Sequence, residues 1–201
     1  MQTLLLATTN ANKIREIRQL LGPAGVTLVD LGAFPAIAEP EETGDTFEAN
    51  ARLKAEYYAA HAGMLTVAED SGLEIDALGG EPGVRSARFL RPDATYPERF
   101  AEIARRLTHV PRDQRTARFV CAIAVVDAGQ VVFETRGTVE GLIADRPAGT
   151  GGFGYDPIFF HPPLGLTLAE AGDEKAAVSH RGEAFRRLAA WLTQPSGLNA
   201  G

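Results

Sequence analysis

Thiols are almost absent: Cys121 is the single cysteine among 201 residues. No intrachain disulfide can form, and no zinc cluster can be assembled from thiolates. An excess of basic charge is missing too. The formal charge of -6 argues against a protein that holds polymeric nucleic acid through bulk electrostatics, because such surfaces carry net positive charge. A small anion gripped by local Lys and Arg stays compatible with it. Long apolar runs are lacking as well. The stretch from Leu4 to Ala7 is short and has no basic segment before it, so neither a signal peptide nor a membrane span is expected, and the mature chain is expected to start near Met1. A reducing cytoplasmic setting fits these absences.

What is present is 45% apolar residues, enough for one substantial core or for two lobes sharing a sheet. No internal repeat or linker interrupts the chain. The expectation is one domain over residues 1–194 and a frayed tail over residues 195–201.

Hydrophobic periodicity orders the elements. Thr3 to Ala7 reads as a strand, Thr8 to Asn10 as a polar turn, and Ile14, Ile17, Leu20 and Leu21 as one face of a helix. Val26 to Leu31 is a second strand, followed by a Pro- and Glu-rich loop from Pro35 to Thr43. A second helix is predicted to open at Asp45, with Glu48 completing a capping-box-like pattern, and to end before Gly63. Leu65 to Ala68 reads as a short buried strand running into an acidic turn, Glu69 to Gly72. Phe100, Ile103 and Leu107 mark a structural helix from Pro97. Arg115 to Val126 and Val131 to Val139, joined through Ala128 and Gly129, form the clearest hairpin. Arg146 to Gly154 is loop, Ile158 to Phe160 a short strand, and Gly182 to Thr193 a closing helix. Interleaved strands and helices with one antiparallel hairpin predict an α/β fold with a mixed sheet. His61, His109 and His161 lack ligand spacing and read as surface or turn histidines.

Four segments could carry chemistry, and each has an ordinary structural alternative. The turn Thr8, Thr9, Asn10 to Lys13 delivers hydroxyls, an amide and a cation to a helix start, where unpaired N–H groups and the dipole favour phosphate; it also reads as a simple helix cap. Glu41-Glu42 and Glu69-Asp70 offer hard carboxylate oxygens suited to Mg²⁺, or solvated turns. Gly149 to Pro157 sets Phe153 and Tyr155 among glycines, where a ring can stack on a base, or where aromatics simply reach the core. Lys175 with Ser179, His180 and Arg181 supplies donors that match O6 of a keto purine and clash with the amino group of adenine; Ser179 could equally cap a helix.

Together these segments resemble the inosine triphosphate pyrophosphatases, also called dITP/XTP or non-canonical purine nucleotide pyrophosphatases. The match runs through TTNANK at Thr8 to Lys13, EETGDTFEANARLK at Glu41 to Lys54, AEDSGLEIDALGGEPGVRSARF at Ala68 to Phe89, PAGTGGFGYDPIF at Pro147 to Phe159, and EKAAVSHRGEA at Glu174 to Ala184. The resemblance implies an elongated two-lobed fold with a central twisted mixed β-sheet flanked by helices, a cleft between the lobes and a homodimer. It implies hydrolysis of ITP, dITP and XTP to the monophosphate and pyrophosphate, with Mg²⁺ as cofactor. By position, Thr8, Thr9, Asn10, Lys13 and Lys54 would hold the triphosphate and Ser71 would touch the nucleotide. Asp70 would be the base and, with Glu41, a metal ligand; Glu41 is favoured, with Glu42 assisting. Phe153, Gly154, Tyr155, Asp156, Lys175, His180 and Arg181 would form the base pocket. A Maf-type pyrophosphatase and a non-catalytic nucleotide sensor are the rival readings. A substrate panel separates the first, and binding without pyrophosphate release would mark the second.

Overall fold

The structure is a computed structural model that describes residues 2–194; the expected tail at 195–201 lies outside the described residues. Its strands are β1 (Thr3–Leu6), β2 (Thr27–Asp30), β3 (Thr66–Ile75), β4 (Thr116–Asp127), β5 (Gln130–Ile143), β6 (Phe159–His161) and β7 (Leu166–Thr167). The α-helices are α1 (Ala11–Leu21), α2 (Phe47–Ala62), α3 (Tyr96–Arg106), α4 (Lys175–Val178) and α5 (His180–Leu192). One sheet runs β2-β1-β3-β4-β5-β6-β7. It is mixed: β1 pairs parallel with β2 and β3, while β5–β6 and β6–β7 are antiparallel.

The chain forms two compact units that are interleaved along the sequence. Among the described residues the first comprises 2–70, 121–137 and 180–194; the second comprises Ser71–Val120 and Thr138–Ser179. Each has its own apolar core. In the first, Leu4 and Leu6 of β1, Ile17 and Leu21 of α1, Val67 of β3 and Ala184, Phe185 and Leu188 of α5 pack together. Ile17 and Leu21 lie four apart and so share a face of α1. The second core gathers Leu73 and Ile75 of β3, Ile103 of α3, Phe119 of β4, Ile143 of β5, and Tyr155 and Phe159.

Local chemistry explains where most elements start and stop. The Asn10 side chain caps α1 by accepting from the Asn12 and Lys13 amides at 3.0 and 3.3 Å. Ala128 and Gly129 have φ of 46° and 79°, the left-handed pair that a two-residue hairpin turn between twisted strands requires. α2 begins one residue later than predicted: Thr46, not Asp45, is its N-cap, accepting from the Ala49 amide, so Glu48 closes no capping box there. A capping box forms instead at α3, between Thr95 and Glu98. α5 starts two residues earlier than predicted and takes in His180 and Arg181, while α4, not foreseen, carries Lys175. His161, expected at the surface or in a turn, is buried in β6.

The largest departure is β3. The expected strand ends at Ala68, but the observed one continues to Ile75, so Glu69 and Asp70 lie inside a strand and not in an acidic turn. Two consecutive carboxylates can enter a buried strand only if cations meet both of them.

Candidate active site

In the first unit those cations are Lys13, Arg181 and Lys54. Successive strand residues point to opposite faces of a sheet, so Glu69 and Asp70 have separate partners. Glu69 is buried. Its carboxylate meets Lys13 Nζ at 2.7 Å and Arg181 Nη2 at 3.1 Å, and accepts the Cys121 thiol at 2.9 Å. Burial alone would raise the Glu69 pKa, but the charges of Arg181 and Lys13 hold it well below the usual carboxylate range. Arg181, also buried, turns its other edge to Glu16, with Nη1 at 2.8 Å from Oε2.

Asp70 is 6% exposed and belongs to a different set. Lys54 Nζ lies 3.1 Å from its Oδ1 and 2.6 Å from Oε1 of Glu42, so one ammonium bridges both carboxylates. Asn50 Nδ2 donates to Asp70 Oδ2 at 3.2 Å, while its Oδ1 accepts from the Gly44 amide at 2.8 Å. Asn50 and Lys54 are four residues apart on α2 and share a face. Together they tie the Glu42 loop to the strand that bears Asp70. Gly44 has no substitute in this arrangement, because a Cβ there would sit 2.7 Å from Asn50 Oδ1 and 2.8 Å from the Ala49 Cβ. Burial raises the Asp70 pKa; Lys54 opposes the shift and the Glu42 charge adds to it. Burial alone would lower the Lys54 pKa, yet Asp70 and Glu42 raise it.

The structure therefore brings Glu42, and not the exposed Glu41, to Lys54 and Asp70. Among the described residues no group of three or more His, Cys, Asp or Glu side chains forms a metal cage. The Glu42–Asp70 pair does fit Mg²⁺, a hard ion that keeps several waters and takes phosphate oxygens. The Lys54 ammonium between the two carboxylates already marks a place built for positive charge.

Thr8 Oγ1 accepts from the Asn10 amide at 3.2 Å, shaping the turn that leads into α1. Thr8 and Thr9 line a cavity of about 410 Å³ with Phe34, Glu39 and Tyr58, within the size range of small-molecule sites. His180 is buried in the first turn of α5.

The second unit carries the remaining candidates. Asp156 is buried, and its Oδ2 accepts from the Phe153 amide at 2.7 Å and from Lys175 Nζ at 2.8 Å. The Lys175 ammonium lies 4.9 Å from the centroid of the Phe153 ring, in cation–π range. Gly152 makes this turn possible, since its φ is 66° and a Cβ would clash with Asp156 Oδ2. Half-buried Phe153 and Gly154 follow it. Tyr155 turns inward: its hydroxyl donates to the Ser86 carbonyl at 2.8 Å and its ring packs edge-on against Tyr96, 5.3 Å between centroids. Tyr155 thus anchors the loop that carries Phe153. Ser71, half-buried, follows Asp70 in β3.

The profile of the Ham1 family matches residues 4–191. The chain belongs to the Ham1 family. The dITP/XTP pyrophosphatase of Exiguobacterium sibiricum is 46% identical over 191 residues, covering 94% of this chain and 96% of the relative. That of Shigella flexneri is also 46% identical, with 94% and 96% covered. Among solved structures, a HAM1 protein from Coxiella burnetii superposes with a TM-score of 0.89 at 38% identity, covering 96% of this chain and 99% of that one. The α/β fold with a mixed sheet is therefore that of Ham1 proteins.

Three polar members of this site, Asn50, Glu16 and Cys121, are not among the site residues expected from the sequence. Asn50 gave a usable signal, an amide four residues before Lys54 on a helix. Glu16, three residues after Lys13 on α1, gave a weaker one. Cys121 gave none beyond burial. Its thiol is fully buried, and burial together with the Glu69 charge pushes its pKa well up. Iodoacetamide is expected to leave Cys121 intact in the native protein and to label it only after unfolding, as followed by mass spectrometry. Rapid labelling without unfolding would contradict this burial.

Proposed function

We propose that this Ham1 protein hydrolyses dITP, XTP and ITP to the nucleoside monophosphate and pyrophosphate, and so removes non-canonical purines from the nucleotide pool. The observation that carries the chemistry is Asp70: a carboxylate buried inside a strand, its pKa raised, fixed by Lys54 and Asn50. A general base needs this combination of placement and basicity.

Asp70 orients a water and takes its proton as the water oxygen bonds to the α-phosphorus. The bond from the α-phosphorus to the bridging oxygen breaks, and pyrophosphate leaves with that oxygen. Lys13 and the donors of the Thr8, Thr9 and Asn10 turn bind the departing phosphates and offset their growing charge. Lys54 holds Asp70 and faces the phosphate nearest it. Glu42 and Asp70 would hold Mg²⁺, with Glu41 next to them in sequence; the ion supplies charge neutralisation on the phosphates. Ser71 contacts the nucleotide.

Base choice follows from hydrogen-bond matching. A keto purine presents an O6 acceptor beside an N1–H donor, which suits the Lys175 ammonium and the Asp156 carboxylate. Adenine presents an amino donor and a bare nitrogen acceptor, mismatched to both. The Phe153 ring offers a stacking face, and Gly154, His180 and Arg181 complete the base-binding set. Lys175→Gln is expected to lower the ratio of kcat/KM for ITP over ATP by about tenfold or more; an unchanged ratio would remove Lys175 from base recognition.

A pyrophosphate-release assay over ITP, dITP, XTP, ATP, GTP and dTTP, with and without Mg²⁺, tests the whole reading. Preference for dTTP, or nucleotide binding without pyrophosphate release, would overturn it. Among the described residues no helix is long and apolar enough to cross a membrane. A homodimer acting in the cytoplasm, on a small nucleotide and not on polymeric nucleic acid, belongs to the same proposal; light scattering checks the dimer.

A further inference from the structure

The two ends of the proposed chemistry share one buried carboxylate. Glu69 binds Lys13, assigned above to the phosphates, at 2.7 Å, and Arg181, assigned above to the base, at 3.1 Å. Arg181 in turn binds Glu16 at 2.8 Å. Lys13, Arg181, Glu69 and Glu16 therefore form a balanced set of two positive and two negative charges, with the Cys121 thiol as a neutral fifth member on Glu69. Glu69 and Arg181 side chains are 1% and 2% exposed, and Lys13 is 17% exposed. Lys13 and Glu16, 17% and 21% exposed, are the two members that reach solvent. An imbalance inside the set acts through a low-dielectric interior and is felt at Lys13, beside the phosphate-binding turn.

We propose that Glu69 is a positioning residue that couples Arg181 to Lys13, so that Arg181 sets the placement of the phosphate-binding lysine and how strongly Glu69 competes for it, in addition to any contact with the base. With Arg181 present, Glu69 is neutralised from within, and the Lys13 ammonium is left with more of its field for an incoming anion. Without Arg181, Lys13 is the remaining cation paired with Glu69, and these four residues carry net negative charge beside the turn that must hold phosphates. Without the Glu69 charge, the set is net positive, but Lys13 loses the oxygen that fixes its position.

The inference rests on the phosphate reading of the Thr8 to Lys13 turn, and inorganic pyrophosphate separates the two. It has no base, so an arginine that only reads bases cannot affect its binding. In competitive inhibition of dITP hydrolysis, Arg181→Gln is expected to raise the inhibition constant of pyrophosphate about tenfold, the effect of one uncompensated charge in a partly buried site. Glu69→Gln is expected to move it the opposite way, by severalfold, while kcat for dITP falls by about tenfold or more because Lys13 is no longer held. Glu69→Asp restores the charge but not the reach, so its inhibition constant returns towards that of the wild type while kcat stays low. An unchanged inhibition constant in Arg181→Gln would overturn the coupling. So would a rise in both Gln variants, which marks a shared folding defect. Lys13→Met is the control: if it raises the inhibition constant and Arg181→Gln does not, the coupling alone fails; if it has no effect, the phosphate reading fails first.

Discussion

Asp70→Asn is expected to reduce kcat for dITP by about 10²-fold or more, the scale of a general base, while leaving the fold intact. Asparagine has the same shape, and Lys54 retains Glu42 at 2.6 Å, so no buried cation is left unpaired. Circular dichroism should be unchanged, and single-turnover pyrophosphate release should carry the loss. The pH profile sharpens the test. Burial raises the Asp70 pKa and the Glu42 charge adds to it, against the pull of Lys54. The base is active when deprotonated, so the acid limb of kcat/KM for the free enzyme lies above the range of an ordinary aspartate, with activity falling as pH drops through it. Mg²⁺ held by Glu42 and Asp70, as proposed, would add positive charge and move that limb down. The residual activity of Asp70→Asn should lack the limb. Pyrophosphate release near the wild-type rate would end the assignment of Asp70 as base.

Lys54→Met removes the bridge between Glu42 and Asp70 and is expected to damage both stability and rate. Breaking a buried ion pair by deleting one partner costs about 3–5 kcal/mol, because here two carboxylates are left facing each other in place of a neutralised pair. Their repulsion drives one of them towards the protonated form, and a protonated Asp70 cannot take a proton from water. Activity should fall about 10²-fold or more. The two effects separate in Lys54→Met combined with Glu42→Gln. That pair relieves the repulsion, so urea denaturation should recover much of the lost stability, whereas pyrophosphate release should stay low because neither the bridge nor Glu42 is present. If Lys54→Met is as stable and active as the wild type, Lys54 is a bystander.

The parts of the molecule legible from residues alone are those governed by neighbours in the chain. Ile14, Ile17, Leu20 and Leu21 announce α1 because a helix repeats every 3.6 residues. Ala128-Gly129 announces the β4–β5 turn because few residues tolerate its backbone angles. The motifs that identify the Ham1 family are likewise contiguous, so the function class is legible in the chain itself. The missed start of α2, Thr46 for Asp45, reflects a cap whose choice among adjacent polar residues depends on which side chain reaches an amide.

What tertiary structure alone decided is the fate of the charges. Read locally, Glu69 and Asp70 look like a solvated turn, because a strand cannot bury two adjacent carboxylates unaided. They are in a strand because Lys13, Lys54 and Arg181 reach them, the last across 112 residues of chain, and Arg181 also closes on Glu16 across 165. The choice of Glu42 over Glu41 has the same origin, since only the placement of Lys54 on α2 tells the two apart. Periodicity records which face of an element is apolar, and it carries no record of which distant cation will neutralise a buried acid. Coulombic pairing acts through space, so the sequence determined the elements and the chemistry available, and the fold determined which charges meet.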